Sequence, residues 1–399
     1  MVSEPNSTLN RTAQATFKTI VAARAVRTFG FGLLSVALAL YLADRGFSPF
    51  AVGALLTVAL LAGAAFLAAS ARLVGRFGRR GALLVGSGAM CVAGLMLAMP
   101  GGWITVVVAC LLGTLSAGAQ EVGPFSGIEQ HAIAEIVPQH RLAHKLAVYN
   151  LVGAFALALG ALAAAVIPTY LIPWAYAGCG LALIAVYVSL AEPSSLDYSK
   201  PIAAGQNRFG PTERLALLFG VDALAGGFVV QSFLAYWLHL RFGSDQRVLG
   251  LVLFGANTLA AFSYPVAAWL SARIGLLRTM VFTHLPSNIL LCIVPLMPTF
   301  RGAVTVLLAR FALSQMDVPT RQAFAMTAVP LEQRARAAAL TNAVRPTATA
   351  ITPLFAGLAV QSALSGLPFF LAGGLKIVYD VILYFGFQRM KPWERRGRG

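Results

Sequence analysis

Asp317, Pro319 and Arg321 stand within five residues in the stretch SQMDVPTRQAF, residues 314–324, at the end of a long apolar run. An acid and a base four residues apart share one face of a helix and can neutralise each other. The proline between them removes a backbone donor, so a kink is expected at this point. An ionisable group at the centre of a bilayer costs about 2.5–3.5 kcal/mol on insertion scales; such groups face a partner or a water-filled cavity and mark routes for ions and protons. Glu121, Glu129, Asp222, Arg27 and Arg310 are further charges in apolar runs, and Glu121 precedes Pro124 as Asp317 precedes Pro319. A carboxylate in this setting can exchange a proton, and a guanidinium can hold an acidic group. Asp317, Glu121, Asp222 and Glu129 are therefore candidates for proton coupling, with Asp317 first. Arg27, Arg310 and Arg321, with Gln120, Gln231 and Phe31, are candidates for a substrate cavity. One reading makes Asp317 and Arg321 a switch, in which protonation of the acid releases Arg321 or lets it pair with Glu129. The other makes them a buried pair that only holds the helix.

The elements that position these groups follow from composition. The chain has 399 residues, of which 58% are hydrophobic and 11% charged, with a mean hydropathy of +0.76. Soluble domains carry about 25% charged residues, so this is a chain built for lipid. Apolar runs of spanning length fall at about 19–43, 51–71, 81–99, 103–135, 144–167, 174–190, 214–237, 248–270, 279–297, 303–329, 337–361 and 368–388. An all-α membrane protein of twelve transmembrane helices is expected, with both termini on one side. The expected segments are an N-terminal tail (1–18), a six-helix bundle (19–191), a Pro/Gly/Ser-rich linker (192–213), a second six-helix bundle (214–388) and a basic tail (389–399).

With both termini cytoplasmic, twenty basic residues fall in cytoplasmic segments and four (Arg45, Arg241, Arg247 and Arg301) in outer loops. That asymmetry sets the orientation. It also accounts for the net charge of +16 without a nucleic-acid partner. The polar first 18 residues are not followed by a short apolar core with a cleavage site, so insertion through the first span is expected. The four cysteines lie in apolar runs without metal or redox spacing. His140 and His144, with Glu135, could hold a metal but fall at a cytoplasmic loop, and polar surface is the better reading; no cofactor is expected. His131 beside Glu129 could relay protons. Lys376 and Asp380, four apart in the last span, read as a pair on an outer helix. Arg345 could reach the cavity or a lipid phosphate. Arg24 reads as snorkelling to the surface. Tyr41, Tyr236 and Trp237 read as interfacial anchors. No phosphate-cradling loop is present, so ATP is not the driver. No nucleophile–base pair stands at mid-membrane, so an enzyme is not expected.

The halves repeat. Gly78 in ARLVGRFGRR corresponds to Gly275 in AWLSARIGLLR, 197 positions on, and Gly53 corresponds to Gly250 at the same offset. Glu121 corresponds to Asp317 at an offset of 196, and VPQHR (137–141) to VPLEQR (329–334) with one residue inserted. Parallel repeats of this kind place a transporter's site between the halves, near mid-membrane.

With two six-helix halves, a central linker and a basic loop carrying Arg76, Gly78, Arg79 and Arg80, the chain resembles the major facilitator superfamily. Arg273 and Gly275 repeat part of that loop, and the resemblance implies that both loops gate the transport cycle. The match is partial: Ala71 replaces a leading glycine and Gly75 an acid, which implies a weaker latch. The drug–proton antiporter branch is matched less well, since Gly113 stands where its early fourth-helix arginine would be, and Arg310 stands instead in the tenth. The resemblance implies that spans 1, 4, 7 and 10 line the cavity, the same spans that the charges select. It implies a monomeric secondary transporter working by alternating access, with protons, membrane lipid and a small-molecule substrate as partners. Proton-coupled efflux across a bacterial inner membrane is the favoured expectation. Uptake or export of an anionic or zwitterionic metabolite is the alternative, and a membrane enzyme or receptor on the same scaffold is less favoured.

Overall fold

The structure is a computed structural model and describes residues 7–118, 123–190, 210–329 and 333–388. Glu121, Gln120, most of the linker and the basic tail lie outside the described residues. Among the described residues the chain is helical throughout, in fourteen α-helices: α1 (Ser7–Asp44), α2 (Pro49–Ala98), α3 (Trp103–Leu111), α4 (Phe125–Ile136), α5 (Gln139–Ala164), α6 (Ile172–Val188), α7 (Pro211–Gly227), α8 (Gln231–Phe242), α9 (Gln246–Ile274), α10 (Leu276–Ile293), α11 (Phe300–Ser314), α12 (Asp317–Ala328), α13 (Arg334–Gln361) and α14 (Leu367–Phe387). They form twelve spans. α2 supplies two of them, because its 50 residues run about 75 Å, twice the thickness of a bilayer. It bends at Gly78 (φ 71°, ψ 175°). Spans 4, 7 and 10 are each broken in two, as α3–α4, α7–α8 and α11–α12.

Short loops join the spans and are closed by local chemistry. Ser48, Asp245 and Thr299 cap α2, α9 and α11 by accepting the N–H of Ala51, Val248 and Gly302. Gly243 ends α8 in the left-handed region. Large apolar side chains such as Trp103, Leu111, Leu181, Phe262 and Phe385 are more than half exposed, which suits a surface solvated by lipid.

The breaks carry most of the polar backbone. In span 4, Gly113 and Gly123 take positive φ, and Pro124 stands at the start of α4. The carbonyls freed there find partners: Tyr176 donates to Thr114 O at 2.5 Å and the Ser232 N–H to Ala117 O at 2.9 Å. Gly113 also lets span 4 approach span 2, for a Cβ there would lie 2.6 Å from Ala62 O. No arginine fits that place. In span 10 the expected kink falls elsewhere. The chain breaks at Gln315 and Met316, and Pro319 sits in the first turn of α12, where its missing N–H costs nothing. The proline starts a helix instead of bending one.

The repeat is visible in the backbone. Gly275 (φ 89°, ψ 160°) joins spans 8 and 9 as Gly78 joins spans 2 and 3. Gly53 packs on the backbone of Pro353 and Gly357 in span 11, and Gly250 on Ala161 and Ala165 in span 5. Each half thus presses a glycine of its second helix onto the fifth helix of the other. Hydrogen bonds join the halves at the face opposite the termini: Phe50 N to Gln361 Oε1, Leu354 N to Thr57 Oγ1, Gln246 Nε2 to Ala164 O and Ile167 O, Gln231 Nε2 to Ser35 Oγ, and Ser232 Oγ to Leu34 O. Toward the face that carries the termini the apolar packing divides. Leu215, Phe219, Met280, Val281, Ala325, Tyr379 and Leu383 form a core of their own in the second half. Among the described residues, hydrogen bonds close the far face, and the buried apolar packing divides at the terminal one.

Three sequence expectations fail here. Tyr41, Tyr236 and Trp237 are buried, at 7%, 3% and 0% exposure, and are not interfacial anchors. Trp237 packs on Phe369 with ring centroids 4.4 Å apart, and the Tyr41 hydroxyl donates to Leu97 O. The far face is sealed with aromatics, so rings at span ends there belong to the core.

Candidate functional site

Charge gathers in two places, one in each half. In the first half, Arg27 of α1 forms a double hydrogen bond with Glu129 of α4, at 3.0 and 2.7 Å. Tyr149 of α5 and Tyr187 of α6 each donate to the same carboxylate at 2.6 Å, one to each oxygen. Both charged side chains are 0% exposed, and the Phe125 ring lies 4.7 Å from the guanidinium carbon. The carboxylate thus accepts four charge-assisted bonds and the pair is neutral as a unit. Arg27 was expected on a cavity wall and Glu129 as a partner for Arg321; instead the two are spent on each other.

In the second half, Asp222 of α7 is the hub. Its Oδ1 accepts from Lys376 of α14 at 2.5 Å, and its Oδ2 from Arg345 of α13 at 3.0 Å and Arg321 of α12 at 3.3 Å. Arg321 also binds Asp317, one helical turn before it on α12. One guanidinium is therefore shared between two acids. Beyond Lys376, Asp380 of α14 is fully buried and accepts from His284 Nδ1 at 2.9 Å and from Asn288 Nδ2 at 2.9 Å, both on α10. The other ring nitrogen of His284 faces Asp222 Oδ1 at 3.8 Å. Arg345 (23% exposed) and Arg321 (12%) are the members of this cluster that reach toward solvent; Asp222 is closed in at 2%.

The two clusters are related by the repeat with their signs exchanged. Glu129 and Arg321 lie 192 positions apart, the spacing that brings VPQHR onto VPLEQR, and Arg27 and Asp222 are 195 apart. A base on the first helix and an acid on the fourth become an acid on the first and a base on the fourth. The fifth and sixth helices complete both sites, with Tyr149 and Tyr187 in one and Arg345 and Lys376 in the other.

Several expectations change on this geometry. Lys376 and Asp380 do not pair with each other, because Lys376 is drawn to Asp222 and Asp380 to His284. The last span is therefore part of the charged centre. Phe31 (1% exposed) and Gln231 (7%) are buried, Gln231 donating to Ser35 Oγ across the halves, and do not stand on an open wall. Arg24 stacks on the Tyr149 ring at 4.8 Å and leans against Gly153 of α5, so it packs inside the first bundle rather than snorkelling. His131 pairs with Glu135 at 2.9 Å on the exposed side of α4, away from Glu129. Arg310 makes no ion pair with the acids of the second cluster; its buried Nε has no hydrogen-bond partner and its guanidinium lies by Phe311. Of the basic loop, Arg79 is buried and bridges to Glu135 at the end of α4 at 2.6 Å. Arg76 lies over the Phe77 ring and Arg273 over Trp269. Arg80 stays partly exposed.

His284, Asn288, Tyr149 and Tyr187 were not singled out from the sequence. The two polar residues of α10, four apart in an apolar run, were the one legible signal; the tyrosines carried none.

The sequence profile of the Major Facilitator Superfamily matches residues 20–238, more than half of the chain and all of the first bundle. The chain belongs to this superfamily. Across its length it is also similar, at 22% identity over 90% of this chain and 91% of the relative, to the membrane protein YJR124C of Saccharomyces cerevisiae, itself uncharacterized. Among solved structures it is similar in fold to the nucleoside transporter NupG (TM-score 0.72, 11% identity, 94% of this chain and 100% of that one). The D-xylose-proton symporter is a second such neighbour (TM-score 0.70, 15% identity, 92% and 97%). The twelve spans, the two six-helix halves and the membership agree: this is a multi-pass membrane transporter of the superfamily and not an enzyme.

Proposed function

We propose that the protein is a proton-coupled secondary transporter that moves a small organic molecule by rocking its two halves about the central charged site. The observation that carries the reading is the sharing of Arg321 between Asp317 and Asp222. Asp222 keeps two other cations, Lys376 and Arg345, while the ion pair of Asp317 among the described residues is the one with Arg321, Arg310 attracting it from beyond ion-pair distance. A proton on Asp317 thus releases Arg321 toward Asp222 without leaving any acid unpaired. Asp222 and Glu129, first considered for the same role, are each held by a full set of donors. Their proposed part is to anchor the helices around the moving group. The loops at Gly78 and Gly275, with Arg79 held by Glu135, are the proposed hinges and latch between states.

Export from the cytoplasm of a bacterium is the proposed direction and place, with the terminal face proposed as cytoplasmic on the placement of basic residues. A second reading, transport of an anionic or zwitterionic metabolite, is favoured by Arg345 and Arg321, whose cationic heads reach the open side.

The experiment begins with a thermal-shift screen of metabolites and drugs on the purified protein, since a binder stabilises the folded state by mass action. The compound found is then followed in proteoliposomes with and without a pH gradient. Asp317→Asn is expected to abolish gradient-driven flux while the compound still raises the unfolding temperature. Gradient-driven flux that survives in Asp317→Asn would reduce Asp317 to a structural partner of Arg321.

A further inference from the structure

Arg310 stands ten residues beyond the start of α11, about 15 Å along its axis and so near the middle of a hydrocarbon layer of about 30 Å. That is too deep for its head to snorkel to water. Among the described residues it makes no hydrogen bond and no ion pair; its buried Nε has no partner, and its central carbon lies 5.1 Å from the Phe311 ring. We propose that Arg310 anchors an acidic group of the substrate, and that this transporter carries an organic anion and not a neutral or zwitterionic compound. The inference rests on the transport reading above, narrows its substrate class, and does not need proton coupling.

Charge balance gives the sign of the ligand. The contacts of the second half join three carboxylates, Asp222, Asp317 and Asp380, to three permanent cations, Lys376, Arg321 and Arg345, with His284 on Asp380. With His284 neutral these charges sum to zero. Arg310 stands outside the ion pairs, and a guanidinium stays charged in a protein, so this half carries one positive charge in excess at its centre. An ammonium group arriving here finds each described acid already holding a cation or a hydrogen-bonded imidazole. A carboxylate or a phosphate finds an unpaired guanidinium, whose planar fork can take either group through two parallel bonds. A polar group without a partner is costly in a low-dielectric site, and the acid of the ligand removes that cost.

Position agrees with charge. Asp317 attracts Arg310 from beyond ion-pair distance, which puts Arg310 on the same central region as the shared Arg321. The Tyr264 hydroxyl of α9 lies in the fields of Asp317 and Arg321 and also of Arg24 from the first half, so this region borders the join between the halves. Arg321 and Arg345 make their bonds to Asp222, Asp317 and Phe219 O through Nη1. Their Nε and Nη2 make none among the described residues, and the two side chains are 12% and 23% exposed. These N–H groups offer an entering anion further donors between solvent and Arg310.

The test uses matched probes on the purified full chain in detergent. Propionate and benzoate are compared with propionamide and benzamide, phenyl phosphate with phenol, and all of them with alanine and phenylalanine as zwitterions. Thermal unfolding is read against sodium chloride at the same ionic strength. Acids should stabilise the wild-type protein by mass action, while amides, phenol and zwitterions should not. The stronger of benzoate and phenyl phosphate tells whether the site takes a carboxylate or a phosphate, and either result supports the inference. Arg310→Met should weaken binding of the responding acid about tenfold or more, because a bond to a charged group is lost. If Arg310→Met unfolds too early to titrate, Arg310→Lys keeps the charge without the fork and should also bind the acid more weakly than wild type. Amides or zwitterions that stabilise as much as the acids, acids no better than chloride, or acid binding unchanged by substitution of Arg310 would each overturn the inference. Binding as expected, with no flux of the bound acid in proteoliposomes, would refute the transport reading and leave the anion site standing. Flux of a neutral compound that does not need Arg310 would do the reverse.

Discussion

Glu129→Gln tests most directly whether charge in the first half is architecture or machinery. The carboxylate accepts four bonds between 2.6 and 3.0 Å, two of them from Arg27, and neither charged side chain is exposed. Opposite charges about 4 Å apart attract by about 4 kcal/mol at an effective dielectric of about 20. Gln keeps the shape but turns one acceptor into a donor, so a tyrosine hydroxyl and an arginine N–H lose their partner while Arg27 stays charged and buried. Removing one member of a buried pair costs about 3–5 kcal/mol. That loss should appear as reduced unfolding free energy in bicelles, measured by steric trapping. Arg27→Met should cost a similar amount, and the double substitution clearly less than the two losses added, because neither charge is then stranded. A cost under about 1 kcal/mol for Glu129→Gln, or strict additivity in the double variant, would refute the reading of a closed pair. The site would then have to exchange protons or substrate after all.

Two further substitutions probe the closure and the hinges. Gly53→Leu puts a side chain where a Cβ alone would lie 2.3 Å from Pro353 O. The far face should be forced apart, and labelling of a single cysteine placed at Ser35 by a membrane-impermeant maleimide should rise; unchanged labelling would show that the contact does not hold that face shut. Gly275→Ala should cost about 1–3 kcal/mol of stability through backbone conformation alone, since φ is 89° and ψ 160° and a Cβ there meets nothing within 4 Å. Asn at the same place should fare no better, because this region is populated essentially by glycine alone, and an Ala variant as stable as wild type would mean that this backbone conformation is not required.

What could be read in the sequence, and what could not, follows one physical line. A bilayer forces every spanning segment to be apolar, long and internally hydrogen-bonded, so the twelve spans stand in the local sequence. Nine of them are present as unbroken helical stretches; spans 4, 7 and 10 are each broken, spans 4 and 10 at the polar stretches that first drew attention. The repeat was legible because glycines at Gly53, Gly78, Gly250 and Gly275 meet backbone or positive-φ demands that only glycine satisfies. The list of buried charges was legible too, because lipid makes each of them costly.

Their partners were not. An ion pair is chosen by geometry between helices, and nothing local records that Lys376 reaches Asp222 and not Asp380, or that Glu129 takes Arg27 and two tyrosines and not Arg321. Pro319 shows the same limit on a smaller scale. Its residue type announces a break in the tenth span, but only the packing of α11 and α12 places that break at Gln315 and Met316 and makes the proline the start of a helix. Composition determined which groups lie in the membrane, and the fold alone decided which of them meet, since long side chains on neighbouring helices have many possible partners and the tertiary structure selects among them.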